Sequence, residues 1–258
     1  MTALAIADSP LAREQLANHT LTIDYLETGG PLTEGTIAQF PNHPLLLHNS
    51  VYDWSLGHPD ALHQDNVVEI THRAIAMTRT PWLSLHLGFS AAEVGFDGWM
   101  QARSPVLDRD ELFANICRNI NTLQEMIDVP IILENLDYCA GGAYEYICEP
   151  DFIAAVVEEG NVGMLLDLAH AQVSAVRLGI PIEEYMARLP LQRVWQLHIS
   201  GPRWANDTLN DWHEDLREED YALLQNVLQQ TNPKALTLEY KKDARLLHEQ
   251  LAQLRSMV

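Results

Sequence analysis

Cysteine is scarce in this chain of 258 residues: Cys117, Cys139 and Cys148 are the only three, an odd number with no close pair. That argues against a disulfide framework and a zinc-thiolate site, and it suits a cytoplasmic home. Bases are scarce as well, 16 against 36 acids, for a net charge of -20. So acidic a surface repels a phosphate backbone and argues against a nucleic-acid partner. No apolar run approaches the length needed to cross a bilayer, so no membrane partner is expected. The first twenty residues carry neither a basic flank nor a long apolar run, and no secretory signal is visible. Linkers, low-complexity tracts and close repeats are missing, so residues 1–258 read as a single domain. There is no GxGxxG and no phosphate-loop motif, which weakens any dinucleotide or nucleotide-triphosphatase reading.

What the chain does have is a series of short apolar runs that end in histidine or an acid. LLLHN ends at His48, WLSLHLG at His86, PIILEN at Glu134, LLDLAH at Asp167 and His170, VWQLHISG at His198 and ALTLEY at Glu239. Such a run reads as a buried strand whose carboxyl end opens into a polar site. Successive ends lie 38, 48, 33, 31 and 41 residues apart (counting Asp167), which suits a strand, a loop and a helix repeated around a barrel. Two earlier strands complete a set of eight, at residues 2–7 and at LTIDYLE, residues 21–27, which ends in Glu27. The fold class is therefore α/β, a (β/α)8 TIM barrel. A barrel brings every strand's carboxyl end to one rim, whereas an open sheet would scatter these polar ends along a wide crevice.

Between the strands, helices are expected at residues 10–18, 65–79, 110–127, 150–159, 171–178, 181–189, 218–230 and 243–254. Asp110 is the expected cap of the third of these, and Pro150 opens the fourth where its missing donor costs little. The connections after the third and fourth strands are long and carry aromatic residues. Long loops at that end of a barrel form the roof of a pocket, which makes Tyr52, Trp54, Phe89 and Trp99 candidate substrate contacts.

Nine side chains gather at the polar rim: His48, His86, Glu134, Asp167, His170, His198, Asp211, His213 and Glu239. Asp211 and His213 come from NDWHED, expected as a loop in which alternate residues can face one way. Five histidines and four carboxylates are too many for one ion, and they form the mixed nitrogen and oxygen set that iron, manganese or zinc accepts. Carboxylates this close repel one another unless a cation lies between them. Two or three metal ions sharing bridging carboxylates would use the whole set.

These residues carry a resemblance. The barrel and its ligand set resemble the xylose-isomerase-like superfamily, and the nine residues match the three-metal site of endonuclease IV. The wording of WLSLHLGFS, PIILEN, LLLDLAHAQVSA and YMARLPLQRVWQLHISG resembles more closely the bacterial family called domain of unknown function 692, described as multinuclear non-haem iron-dependent oxidative enzymes. That resemblance implies two or three iron ions, with zinc or manganese as alternatives. It implies oxidation by dioxygen of a small or peptidic, thiol-bearing substrate, often presented by a partner protein. The alternatives left open are a divalent-metal phosphoesterase and a sugar isomerase of the same superfamily. Two positions depart from the family's wording: DLAH stands where DVNN is usual, so His170 replaces an asparagine, and NDWHED stands where DTHG is usual.

Overall fold

The computed structural model describes residues 1–258 apart from Pro41, Tyr52 and Asp53. Eight strands form the barrel: β1 (Ala3–Ala7), β2 (Tyr25–Gly29), β3 (Leu45–His48), β4 (Leu83–His86), β5 (Ile131–Glu134), β6 (Gly163–Asp167), β7 (Val194–Ile199) and β8 (Ala235–Leu238). Every neighbouring pair is parallel, and β1 pairs with β8 from Ala3 opposite Ala235 to Ile6 opposite Leu238, which closes the sheet. The helices are α1 (Pro10–Ala17), α2 (Glu34–Ile37), α3 (Val67–Thr78), α4 (Arg109–Met126), α5 (Pro150–Glu159), α6 (Leu168–Leu178), α7 (Ile182–Ala187), α8 (Glu218–Leu228) and α9 (Ala244–Arg255). No helix among the described residues is long and apolar enough to cross a membrane.

The strands are buried on both faces, and their two-residue period sorts them into two cores. Leu47, Leu83, Leu85, Ile131, Leu133, Leu166, Leu197 and Leu236 belong to one large cluster with the inner faces of the helices. Ala5, Leu46, Trp82, Ile132, Leu165 and Ala235 form a separate small cluster, the lower layer of the barrel interior. Two residues further along each strand the side chain again points inward, so above Leu46 stands His48, above Ile132 Glu134 and above Leu165 Asp167. The apolar layer is thus the floor on which a polar layer rests.

Several local expectations are corrected. The second strand begins at Tyr25 rather than residue 21, which puts Glu27 in its middle and buries it. The cap of α4 is Asp108, whose carboxylate accepts the Asp110 amide, so Asp110 occupies the first turn. Helix α6 starts at Leu168, directly after β6, because Asp167 itself caps it by accepting the His170 amide at 2.7 Å. The long connections after β4 and β7 hold antiparallel hairpins, Val94–Asp97 with Trp99–Ala102 and Gly201–Ala205 with Thr208–Glu214.

Candidate metal centre

Three trios of ligand-type side chains meet at the carboxyl rim. They are His48, His86 and Glu134; Glu134, Asp167 and His198; and Asp211, His213 and Glu239, with the candidate atoms of each trio within 4.8 Å of one another. Glu134 belongs to the first two. Its Oε2 lies 3.2 Å from His48 Nε2 and 3.1 Å from His86 Nε2, and its Oε1 lies 3.3 Å from His198 Nδ1. His170 joins the third trio, with its Nε2 at 3.5 Å from Asp211 Oδ2. All nine side chains singled out in the sequence therefore converge. The middle trio is sealed, with side chains 0–2 % exposed, while His86 at 23 % and His213 at 33 % form the lip.

Local structure explains how each group is aimed. Asp167 divides its oxygens: Oδ1 caps α6 and Oδ2 points into the site. His170 sits in the first turn of α6, where its Nδ1 donates to the Asn135 carbonyl at 2.9 Å and leaves Nε2 facing Asp211. His48 Nδ1 lies 2.9 Å from the Ser84 hydroxyl. Asp211 and His213 lie in a bulge of the second hairpin. Asn210 pairs with Arg203 and Glu214 with Gly201, so three residues oppose Pro202 alone. A bulge re-aims side chains, and His213 takes a left-handed φ of 49° to turn toward the rim. Ser200 then donates to Asp211 Oδ1 at 2.6 Å, and Asp211 Oδ2 and Glu239 Oε2 come to 3.4 and 3.2 Å from His213 Nε2.

Whether these residues suit metal ions is decided by what they leave unsatisfied. Glu134 Oε2, Asp167 Oδ2 and His198 Nδ1 are buried and have no hydrogen-bond partner among the described residues. All three belong to residues of the middle trio: Asp167 Oδ2 and His198 Nδ1 lie 3.9 Å apart, while Glu134 Oε2 is turned toward His48 and His86. Two carboxylate oxygens and a ring nitrogen orphaned in one dry spot are costly unless a cation joins them. The proton affinities agree. Burial, only partly relieved by the charge of His170, combines with the charges of Asp211, Glu239 and Glu134 to push Asp167 up to about 7. Burial opposes charge on His213, yet Glu239 and Asp211 outweigh it and lift the ring to about 9. His170 and His198 are raised well above the usual imidazole value against the same burial, by Asp167, Asp211 and Glu134 in one case and by Glu27, Glu239 and Glu134 in the other. The acids are gathering positive charge wherever they can find it, and the donor set fits divalent or trivalent cations.

One buried acid beside the centre was not in the sequence-derived set. Glu27 accepts from His198 Nε2 at 2.8 Å, on the far side of the ring from the orphaned Nδ1. Its signal was present, because LTIDYLE is one more apolar run ending in an acid. The aromatic candidates divide. Trp54 and Phe89 are buried in the large core, with the Trp54 indole donating to the Ala61 carbonyl and Phe89 packed edge-on against Tyr144. Both side chains pack within that core. Trp99 is 47 % exposed on the first hairpin, and Tyr52 lies outside the described residues. The cysteines are free, and burial pushes Cys117 up to about 11 and, helped by the charge of Asp137, Cys139 up to about 12. Neither is a ready nucleophile at neutral pH.

Comparison with known proteins agrees with this architecture. The chain is 28 % identical over 214 residues to a UPF0276 protein of Caulobacter vibrioides, covering 82 % of this chain and 74 % of that one. Endonuclease IV from Thermus thermophilus superposes with a TM-score of 0.62 at 14 % identity, over 99 % of this chain and 98 % of that one. A xylose isomerase-like TIM barrel protein from Mycobacterium smegmatis, solved in complex with magnesium, superposes with a TM-score of 0.60 at 15 % identity, covering 99 % and 97 %. At such identities the two structures speak for the fold alone, a xylose-isomerase-like TIM barrel. The family's sequence profile matches residues 21–257, nearly the whole chain, and on that match the protein belongs to the family described as RiPP precursor modification enzyme MbnB/TglH/ChrH.

Proposed function

We propose that the protein is a multinuclear non-haem iron enzyme that uses dioxygen to oxidise a thiol-bearing peptide or small molecule. The observation that carries this reading is the set of three orphaned atoms on Glu134, Asp167 and His198, shared through Glu134 with His48 and His86. Family membership supports a modified peptide as the substrate class. We assign His48, His86, Glu134, Asp167, His170, His198, Asp211, His213 and Glu239 as ligands of two or three ions, with iron native and zinc or manganese as replacements. Iron bound there supplies electron transfer to dioxygen and an anchor for a thiolate.

The chain's own groups do the rest. Glu134 spans the first two trios and holds their separation. The sealed middle trio excludes water, which strengthens every charge interaction inside it. His86 and His213, at the exposed lip, mark where a substrate enters. With its own thiols held protonated by burial, the chain does not compete for the position a substrate thiolate would take. The three free cysteines support a cytoplasmic, reducing location, in which a peptide-presenting partner protein would deliver the substrate.

A second reading is favoured by one residue. His170, where the family usually has asparagine, completes the endonuclease-like set, and a firm third ion suits phosphoester hydrolysis. Sugar isomerisation, the other superfamily chemistry, has no such residue in its favour. The deciding experiment reconstitutes the protein with iron anaerobically, counts metal by elemental analysis, adds candidate thiols and cysteine-containing peptides, and then admits oxygen. Oxidation predicts more than one iron per chain, a substrate-dependent change in the iron spectrum, oxygen uptake and a product mass shift. Anaerobic phosphodiester cleavage by the zinc or manganese form, without any oxidised product from the iron form, would decide for hydrolysis.

A further inference from the structure

We infer that Glu27 is a positioning residue: it fixes His198 as the Nε2–H tautomer and so presents Nδ1, not Nε2, to the metal held by Glu134 and Asp167. The inference rests on the metal-centre reading above. It follows from donor bookkeeping that begins 114 positions away from Gln196 along the chain, at Trp82. The Trp82 indole N–H can only donate, and it donates to Gln196 Oε1 at 2.8 Å. That settles which end of the Gln196 amide is nitrogen. The Gln196 NH2 group therefore donates to Glu27 Oε2 at 2.6 Å and to the Thr237 hydroxyl at 3.1 Å. With its oxygen accepting from Gln196, Thr237 sends its own proton to Glu27 Oε2. Only Glu27 Oε1 remains, and among the described residues its one hydrogen-bond partner is His198 Nε2 at 2.8 Å, with His48 Nδ1 beyond hydrogen-bond reach at 4.0 Å.

Among the described residues, no other group competes with Glu27 for His198 Nε2. Gln196 Nε2 lies 3.2 Å from it, but both amide protons are committed elsewhere. A carboxylate accepts only, so His198 Nε2 must carry the proton. The lone pair is then on Nδ1, the atom orphaned at 3.3 Å from Glu134 Oε1 and 3.9 Å from Asp167 Oδ2. A carboxylate behind an imidazole also makes the ring a stronger donor to metal. All five members (Trp82, Gln196, Glu27, Thr237 and His198) are buried, so the relay is shielded from water.

Two measurements test it. In the zinc-loaded protein, nitrogen-15 imidazole spectra should show His198 with a protonated Nε2 and a zinc-shifted Nδ1. The reverse pattern would overturn the inference without any variant. In Glu27→Gln, of the same shape, the new amide must set its NH2 either against the Gln196 NH2 or against His198 Nε2. Zinc titration against a competing chelator should then show one ion weakened by about 10- to 100-fold, the loss typical of such a supporting partner. The other ions should keep their affinity, and the spectra should show mixed His198 tautomers. Unchanged zinc affinity and an unchanged tautomer in a folded variant would overturn the proposal. A wild-type protein that binds no zinc or iron would remove the metal centre and this inference together.

Discussion

Asp167 has two tasks that a single substitution can separate. Its Oδ1 caps α6 while its Oδ2 faces the centre without a partner. Asparagine caps as well as aspartate, so Asp167→Asn should keep the helix start but lose metal. Asp167→Ala should lose both, at about 1 kcal/mol for the cap. Chelator-treated protein gives the sign of the remaining effect. A carboxyl raised from 3.8 to about 7 by folding weighs against the folded state fully above pH 7 and not at all below 3.8. Metal-free Asp167→Asn should therefore melt higher than metal-free wild type at pH 8 and lose that advantage near pH 4. A variant that retains the wild-type metal content at pH 8 would show that Asp167 is no ligand. The inward placement of Asp167 was legible because a strand period of two carries Leu165 and Asp167 to the same interior face. Glu27 obeys the same pattern, but its strand was set four residues early, which made Glu27 its last residue instead of its middle one. Its partners Gln196 and Thr237 come from β7 and β8, and no local pattern connects them.

At the scale of elements, the second hairpin carries Asp211 and His213, so on the proposed reading it is the element that would hold a third ion. Its strands turn through Asn206 and Asp207, both with positive φ, 47° and 60°, between Ala205 and Thr208. That is the two-residue turn whose twist matches paired strands, and asparagine and aspartate tolerate it. Valine at both positions should oppose it by roughly 1–2 kcal/mol per residue. The hairpin stands outside the barrel sheet, so the loss should appear locally. The expected result is a metal count lower by one, with Asp211 and His213 displaced, while the melting temperature of the chelated protein moves little. An unchanged metal count, with nuclear magnetic resonance shifts confirming a disrupted turn, would detach the hairpin from the centre. The turn residues were visible in the sequence, and yet the segment read as loop. Three residues opposite Pro202 interrupt the alternation by which a strand is recognised. The barrel strands carry no interruption of that size, the one-residue slip between β6 and β7 being smaller, and their carboxyl ends were placed within two residues.

For the molecule as a whole, the barrel was legible from the regular recurrence of strand ends, and the charge of -20 from a count of acids. How that charge couples to the centre needed the assembled geometry. In the metal-free protein the rim acids hold protons on imidazoles: His213 is lifted to about 9, and His170 and His198 are raised in the same direction. A metal needs the nitrogen lone pairs those protons occupy, so loading at pH 7.5 must release protons. A histidine raised from 6.5 to about 9 favours the metal-free fold fully below pH 6.5 and ceases to do so as pH passes 9. Metal affinity moves the opposite way, rising across that interval. At a thousandfold excess over its dissociation constant, each ion stabilises by about 4 kcal/mol, on the order of 10 °C for a chain of this size. The melting increment from metal should therefore grow between pH 6.5 and 9. Calorimetric titration of zinc into chelated protein, repeated at pH 7.5 in two buffers of different ionisation enthalpy, measures the protons directly. More than one should leave per chain; a heat independent of buffer would mean that the ions bind somewhere other than this histidine-rich rim.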